Sequence, residues 1–334
     1  MAIKNLVFQG GGVKGIAYVG ALQVLQARNL LRSVENVAGT SAGAITAALV
    51  AVGSTAEEMH AILGSTDFAS FMDGRGKFIG GAVRLYEGYG IHKGEEFQQW
   101  CRQQISDITK RVTGTAMPDL TFSQLSALAA QQPEHFCNLY VVATNLNRQV
   151  PEVFSAQTYP DVPLWQAVRM SMSIPLFFEA FPFNGDLYVD GGVSWNYPID
   201  LFDGLIRQPV IGKPPVSIDV GVCAETLGFS LGTPEQIQRL EKDGLPLPVS
   251  VSDLKTYTKA LFNFMLGASN LLHLDPDSIQ RTVFIDNANV STTDFTLSDE
   301  LKQKLVDNGV LATTAWFKNA EQKAAAAAQR AVAS

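Results

Sequence analysis

The pentapeptide Gly39-Thr40-Ser41-Ala42-Gly43 constrains this chain more than any other feature of its sequence. It follows the apolar pair Val37-Ala38 and leads directly into the helix-forming stretch 44–49. Glycines two residues on either side of a serine remove the Cβ atoms that would clash where a strand turns sharply into a helix. Such a turn exposes the hydroxyl at the sheet edge, and the helix N-terminus adds backbone N–H groups beside it. The pattern predicts a nucleophilic Ser41, supported by Gly39 and Gly43.

A second glycine cluster, Gly10-Gly11-Gly12-Val13-Lys14-Gly15, lies between an apolar run at 5–8 and a helix-period stretch at 16–30. It matches G-x-G-x-x-G, and Glu35 lies 20 residues beyond Gly15, where a ribose-binding acid would be sought. A dinucleotide-binding oxidoreductase is therefore an alternative. Against it, Glu35 precedes the second apolar run instead of ending it, and the Ser41 turn occupies the end of that run.

The glycine cluster has a second interpretation as an oxyanion hole. The ends of adjacent strands in a parallel sheet face one crevice, so the glycine loop and Ser41 are expected to lie side by side. Small residues with accessible backbone N–H groups beside a nucleophile suit acyl transfer. The predicted oxyanion donors are the N–H groups of Gly10, Gly11, Gly12 and Val13.

An activated serine needs a proton acceptor, and histidine is the usual one. None of the four histidines lies in a recognisable motif: His60, His92, His135 and His273. All four are interpreted as solvated or structural residues. This interpretation is weakest for His92, because the glycine-rich segment around it could border a site.

An aspartate is the better candidate base. Asp190 ends an apolar stretch and is followed by Gly191 and Gly192, which allow close backbone packing around a carboxylate. With its ordinary pKa of about 3.9 an aspartate is a poor acceptor for a hydroxyl proton, so we expect a partly desolvated carboxyl with a short hydrogen bond to Ser41. The alternative is an Asp-Gly turn without a catalytic role.

Together these segments resemble the patatin-like phospholipases, lipid acyl hydrolases that use a Ser-Asp dyad. Four segments match in the family's order: Gly10 to Gly15, Gly39 to Gly43, Met170 to Phe178, and Asp190 to Gly192. The third, Met170-Ser171-Met172-Ser173-Ile174-Pro175, is similar to the family's A-S-x-S-x-P segment, with Met170 where alanine is frequent. The resemblance spans residues 5–200, whereas residues 201–334 carry no motif.

The resemblance implies a three-layer α/β/α fold with a central, mainly parallel sheet. It also implies that Ser41 is acylated by a lipid ester, that Asp190 is the base, and that no cofactor takes part. Lys14 stands where many members have Arg or Lys, and either supports the oxyanion or packs at the start of a helix. The expected substrate is a phospholipid; a non-phospholipid ester or a triacylglycerol is the alternative.

Composition restricts the partners. A net charge of -7 and a pI near 5.2 argue against nucleic acid, since no basic stripe exists to neutralise phosphates. No cluster of His, Cys or acidic residues has metal-ligand spacing. The N-terminus has no secretory-signal pattern. We therefore expect a cytoplasmic protein, peripheral at a bilayer that holds its lipid substrate. An activating partner, a homo-oligomer and secretion without an N-terminal signal remain open.

The pattern along the chain predicts alternating strands and helices within one domain over 1–320, followed by an alanine-rich tail at 321–334. The predicted strands are 4–9, 35–40, 138–145, 150–155, 177–183, 186–190, 216–223 and 281–286. The predicted helices are 14–30, 42–53, 56–64, 93–108, 121–131, 163–171, 252–273 and 297–318. Asn184-Gly185 predicts a hairpin that delivers Asp190 to the sheet end.

Two segments suggest control of access to the site. Residues 64–94 combine glycines with apolar side chains, as in a mobile flap or an ordered surface excursion. Residues 257–274 predict a mostly apolar helix, for which core packing is favoured over a lipid-facing or oligomer-contact role.

Overall fold

The computed structural model describes residues 2–72, 89–204, 221–242, 250–253, 274–292 and 294–333, with five further positions between 256 and 264. The strands in these ranges are β1 (Asn5–Phe8), β2 (Asn36–Thr40), β3 (Gly90–His92), β4 (Asn138–Asn145), β5 (Val150–Phe154), β6 (Leu176–Phe178), β7 (Phe181–Phe183), β8 (Asp186–Asp190), β9 (Thr226–Gly232) and β10 (Thr282–Asp286).

The strands of the described ranges form one large sheet and one small one. The large sheet has the order β10-β9-β1-β2-β4-β8-β7, with β5 also paired to β4. Neighbours from β10 to β4 are parallel, whereas β5, β7 and β8 pair antiparallel. The predicted class, a mixed α/β fold with a central and mainly parallel sheet, is confirmed.

Helices occupy most of the connections between the strands. They are α1 (Ala17–Ala27), α2 (Ala42–Ala51), α3 (Ala56–Ser65), α4 (Glu95–Thr113), α5 (Phe122–Gln131), α6 (Leu164–Ser171), α7 (Gly192–Trp195), α8 (Pro234–Lys242), α9 (Pro276–Gln280) and α10 (Asp299–Ala333). Capping boxes begin α3, where Thr55 and Glu58 bond reciprocally, and α5, where Thr121 pairs with Gln124. A left-handed Gly114 ends α4.

Successive side chains of a strand point to opposite faces of the sheet, and in β1 the side chains on both faces are buried. Leu6 and Phe8 of β1 belong to the large core beneath α1 and α2. Val7, between them, belongs to a smaller cluster with Tyr197 and Ile199 on the opposite face. The sheet is therefore covered on both sides, as the three-layer prediction requires.

The register of β4 determines where the functional segments meet. Val142 of β4 pairs with Thr40 at the end of β2, and the next residue, Ala143, pairs with Asp190 at the end of β8. Because β8 runs antiparallel to β4, its carboxyl end arrives at the carboxyl end of β2. Residue 41 and Asp190 therefore become neighbours although they are far apart in sequence.

The prediction of one strand at 177–183 is wrong. Glu179 and Ala180 lie between two strands, and β6 pairs in parallel with β3 in a separate two-stranded sheet. The hairpin itself is confirmed, because β7 and β8 pair across Asn184 and Gly185. Both turn residues have positive φ, 51° and 85°, as a two-residue hairpin turn of this kind demands.

Several other boundaries differ from the predictions, among them the three that follow. Residues 221–223 of the strand predicted at 216–223 are not in a strand; β9 follows instead at Thr226–Gly232. The helix predicted at 14–30 begins as a 3₁₀ turn, Gly12–Ile16, and α1 ends at Ala27. The helix predicted at 297–318 continues as α10 to Ala333, so the alanine-rich stretch is helical.

Several predictions fall largely outside the described residues. Residues 73–88 of the predicted 64–94 flap and most of the predicted helix 252–273 lie there. Tyr257, Leu261 and Phe264, which are described, are exposed, so core packing does not hold at these three positions. The division into a domain over 1–320 and a tail stays a prediction.

Candidate active site

Ser41 occupies a strained turn between β2 and α2. Its φ and ψ are 54° and -123°, a conformation that costs a side-chain-bearing residue about 1–3 kcal/mol. The flanking glycines have no room for a side chain: a Cβ on Gly39 would lie 2.2 Å from the Gly43 carbonyl oxygen, and one on Gly43 would lie 2.2 Å from the Phe8 carbonyl oxygen. Gly39 and Gly43 therefore permit the sharp turn that the pattern predicted.

Ser171 holds this turn from the end of α6. The Ser41 backbone N–H donates to Ser171 Oγ at 2.8 Å, and the Ser171 hydroxyl donates to the Val142 carbonyl oxygen at 2.6 Å. The Ser171 carbonyl oxygen accepts from the Gly191 N–H at 3.3 Å. All these atoms are buried, where an unpaired polar group would be costly. Ser171 thus links the Ser41 turn to the loop that follows Asp190, a role that the sequence alone did not reveal.

The Asp190 carboxyl is buried and faces Ser41. Only 1% of the residue is exposed, and burial raises its pKa from 3.8 to about 7. A hydrogen bond with the Ser41 side chain and one from the Gly192 N–H, 2.7 Å from Oδ1, oppose this rise in pKa by stabilising the carboxylate. The Asp190 N–H donates to the Ser173 carbonyl oxygen at 2.8 Å and fixes the backbone. A carboxyl with a pKa near 7 suits a general base at neutral pH.

The glycine loop lies beside Ser41. A Cβ on Gly10 would lie 3.2 Å from the Ser41 Cβ, and one on Gly15 would lie 2.9 Å from the Ala42 Cβ. Gly12 has a φ of 58°, and a side chain there would strike the Thr292 carbonyl oxygen at 2.0 Å. Lys14 is half-buried and follows the same loop. The loop can pass this close to the nucleophile because it carries no side chains where it does so.

The four predicted oxyanion donors are not equivalent. The Gly10 N–H donates to the Asn196 carbonyl oxygen at 3.0 Å, and the Val13 N–H donates to the Thr292 carbonyl oxygen at 3.4 Å. For the N–H groups of Gly11 and Gly12 there is no acceptor among the described residues. Of the four predicted donors, Gly11 and Gly12 are therefore the two whose N–H groups stay candidates for binding an oxyanion. The first N–H groups of α2 are further candidates, because a helix N-terminus leaves them without intrahelical acceptors.

An apolar pocket adjoins Ser41. Its walls come from α2, α3, the 3₁₀ helix Phe68–Phe71, the 172–178 segment and the loop before α10. They include Ile45, Leu63, Phe71, Ile174, Phe178 and Phe295. The cavity is about 50 Å³, against roughly 300–1,000 Å³ for ordinary ligand sites, so the walls must move apart to admit a long chain. Phe295 comes from the region without motifs, and only tertiary structure reveals it.

The histidines that the structure describes make other contacts. His60 Nδ1 lies 3.2 Å from Gln23 Nε2, and His135 lies beside Glu134 at the opposite edge of the sheet. The His92 ring contacts the Phe177 ring, with centroids 4.9 Å apart and the ring planes tilted by 52°. The Ser41 side chain, by contrast, is bonded to the Asp190 carboxyl.

The position of Glu35 argues against a dinucleotide site. Glu35 lies before β2, at the amino end of the parallel strands, and pairs with Lys4 at 3.5 Å. Dinucleotides bind outside the carboxyl ends of such strands. The acid is therefore at the wrong edge of the sheet to bind a ribose beside the glycine loop.

Within the described ranges no cluster of three or more His, Cys, Asp or Glu side chains is arranged to hold a metal ion. Nor is any helix of those ranges long and apolar enough to cross a bilayer.

Residues 6–203 match the family model for patatin-like phospholipase. This range carries every element of the site except the loop with Thr292 and Phe295. The chain belongs to the patatin-like phospholipase family. Membership in this family indicates an ester hydrolase that acts on lipids.

The chain is also similar to individual proteins. The chain is 32% identical over 322 residues to the uncharacterized protein YqhO of Bacillus subtilis, covering 93% of this chain and 97% of that protein. It is 27% identical over 206 residues to the probable lipid hydrolase 463L of Invertebrate iridescent virus 6, covering 59% and 62% of the two chains. The crystal structure of VipD from Legionella pneumophila superposes with a TM-score of 0.59 and 19% identity, over 96% of this chain and 67% of that one. At this identity the likeness concerns the fold.

Proposed function

We propose that this patatin-like protein is a serine lipid acyl hydrolase of the phospholipase A type, with Ser41 as nucleophile and Asp190 as general base. The observation that carries this proposal is the buried Asp190 carboxyl, which has a pKa of about 7 and is hydrogen-bonded to the side chain of a serine on a strained strand-to-helix turn. A carboxyl in this state can accept a hydroxyl proton at neutral pH without a histidine.

In the first half-reaction Ser41 Oγ attacks the ester carbonyl carbon while Asp190 takes the hydroxyl proton. The negative charge that develops on the carbonyl oxygen is stabilised by the N–H groups of Gly11 and Gly12. The bond to the alcohol breaks, the proton passes from Asp190 to the departing alkoxide, and an acyl-Ser41 ester remains. In the second half-reaction Asp190 takes a proton from water, the hydroxide attacks the acyl-Ser41 carbonyl, and Ser41 Oγ is reprotonated as the fatty acid leaves.

The pocket supports the proposed substrate class. Its walls are apolar and begin at Ser41, so a fatty acyl chain is the part of an ester that would enter it. Phospholipids present such chains at a bilayer surface, and we propose that the protein acts there as a peripheral enzyme. The proposed catalytic steps do not require Lys14. An activating partner or a second copy of the chain stays a prediction.

The test is fatty acid release from mixed phospholipid vesicles by wild type beside Ser41→Ala, with the products identified by mass. We expect release by the wild type that vanishes in the variant, and the lysolipid masses give the position cleaved. Release that persists in the variant would contradict the proposal. If neither protein released fatty acid from phospholipid, triacylglycerol emulsions and a soluble short-chain ester would decide whether Ser41 acts on another ester.

A further inference from the structure

Three large apolar side chains lie exposed at the small sheet: Ile91 in β3, Leu176 in β6, and Tyr89 immediately before β3. The exposed fractions are 57% for Tyr89, 42% for Ile91 and 56% for Leu176. Gly90 pairs with Leu176 across this sheet, so Tyr89 and Ile91 flank the residue opposite Leu176. We call Tyr89, Ile91 and Leu176 the docking patch. Single exposed apolar residues are common, but a group of them on one small element points to a binding surface.

Two members of the docking patch are also conformationally strained. Tyr89 has a φ of 61° and Leu176 a φ of 69°, in the left-handed region that bulky side chains rarely adopt. Neither side chain is buried, so the core does not compensate for this strain. Backbone strain of this kind tends to occur at functional positions. Here it holds apolar side chains in solvent, where burial against a second apolar phase would stabilise them.

The docking patch is continuous with the wall of the pocket at Ser41. Leu176 lies in the chain between Ile174 and Phe178, and both of these residues line the pocket. Phe177 stacks on Phe295 of the pocket wall, with ring centroids 5.0 Å apart. A chain leaving an apolar phase at the docking patch would therefore meet the apolar walls that lead to Ser41.

We infer that Tyr89, Ile91 and Leu176 insert into the lipid surface that holds the substrate, an inference that rests on the function proposed for the site. For the residues that the structure describes, apolar contact and not charge is the attraction. The chain carries a net charge of -7, and Lys93 beside the docking patch pairs with Glu95 at 3.4 Å. Attraction to anionic lipid needs a local basic cluster. Binding should therefore occur on zwitterionic vesicles and change little with salt.

The test uses the double variant Tyr89→Asn/Leu176→Asn. Asparagine tolerates the left-handed region better than tyrosine or leucine, so the variant should fold and melt at or above the wild-type temperature. Binding is measured by flotation with phosphatidylcholine vesicles, on proteins that also carry Ser41→Ala so that the lipid is not consumed. We expect the partition coefficient to fall by roughly tenfold or more, with little effect of raising salt from about 0.1 to about 0.5 M.

Activity provides the second measurement. In the Ser41 form, the double variant should hydrolyse vesicle lipid at least about tenfold more slowly while cleaving a soluble short-chain ester at the wild-type rate. Leu311→Asn is the matched control, because Leu311 is 68% exposed on α10 and lies outside the docking patch. This control should leave both vesicle binding and vesicle hydrolysis unchanged.

Three outcomes would overturn the inference: wild-type protein that does not bind the vesicles, a double variant that binds as well as wild type, or equal losses on vesicles and on the soluble ester. The first would leave a protein partner as the occupant of the docking patch. Failure of the proposed function is distinct, because it appears as soluble-ester cleavage that does not depend on Ser41, whereas the binding measurement is made without turnover.

Discussion

The amino and carboxyl ends of the parallel strands differ in their reactive groups, and the difference is not the one that cavity size alone would predict. At the amino edge, Cys137 and Ser54 line a cavity of about 540 Å³. Burial raises the pKa of the Cys137 thiol to about 12, so it stays protonated and unreactive at neutral pH. At the carboxyl edge the cavity is about 50 Å³, yet it adjoins a strained serine bonded to a buried carboxyl. Cavity size therefore does not identify the reactive end of the sheet; the strained serine bonded to a buried carboxyl does.

The largest expected effect is on turnover. Asp190→Asn should lower hydrolysis of a soluble ester by about a thousandfold or more, because the amide cannot accept the Ser41 proton. Cys137→Ala, at the other edge, should retain the wild-type rate within about twofold. Initial rates of the two purified variants, checked for folding by circular dichroism, make the comparison. Near-wild-type turnover by Asp190→Asn, with loss on His92→Ala, would move the base to a histidine.

The pH dependence of turnover sharpens the same contrast. Only the carboxylate form of Asp190 accepts a proton, so kcat/KM should rise with pH and level off above an apparent pKa of about 7. At about pH 5 the rate should be roughly a hundredfold below the plateau. A profile that stays flat down to about pH 5 would show that the carboxyl is not buried as described.

A smaller loss of activity is expected when the turn is released. Ser171→Ala removes the acceptor of the Ser41 N–H, so kcat should fall by about tenfold to a hundredfold with little change in KM. Ser54→Ala makes the same chemical change at the amino ends of the strands and should leave the rate unchanged. Among the described residues, the Ser54 hydroxyl bonds only the neighbouring Thr55 carbonyl, at 3.3 Å. Equal rates for the two variants would remove Ser171 from the positioning of Ser41.

Stability should change in the opposite direction to activity. The folded pKa of Asp190 is raised, so the native state holds its proton more tightly than the unfolded chain, and stability falls as pH rises from about 4 to about 7. Asp190→Asn removes this penalty and should stabilise the protein by about 2–4 kcal/mol at about pH 8 but not at about pH 4. Urea unfolding at both pH values measures this. A variant less stable at the higher pH would contradict it.

The smallest effect concerns backbone strain. Glycine accepts the φ of 54° at position 41 without penalty, so Ser41→Gly should be more stable than Ser41→Ala by about 1 kcal/mol. Thermal melts of the two inactive variants side by side give the difference. Identical melting temperatures would indicate that the turn is relaxed in solution.

The sequence predicted elements that carry their own local signal. The strand at 138–145 and the Asn184-Gly185 hairpin were located because β-branched residues and a two-residue turn specify them. The strand Thr226–Gly232 was missed because its burial is tertiary: it is covered on both faces, and Gly228 is small so that Tyr197 can pack there. Propensity alone favoured the β-branched run at 216–223 instead.

In the candidate site, too, some residues could be predicted from local motifs and others could not. Ser41, Asp190 and the glycine loop lie in short motifs, so their types and spacing could be recognised. The engagement of the Gly10 and Val13 N–H groups, the role of Ser171 and the contribution of Phe295 depend on contacts between distant segments. Such contacts leave no pattern in a single sequence.

The central claim is that Asp190 activates Ser41, and covalent labelling tests it most directly. The reagent is a fluorophosphonate ester, whose phosphorus is attacked by a reactive serine oxygen with loss of fluoride. A reactive Ser41 therefore becomes a stable phosphonyl ester that peptide mass spectrometry can locate. We predict labelling at Ser41 with a rate that rises through about pH 7 in wild type and is about a thousandfold slower in Asp190→Asn. Labelling at another residue, or an equal rate in Asp190→Asn, would contradict the account.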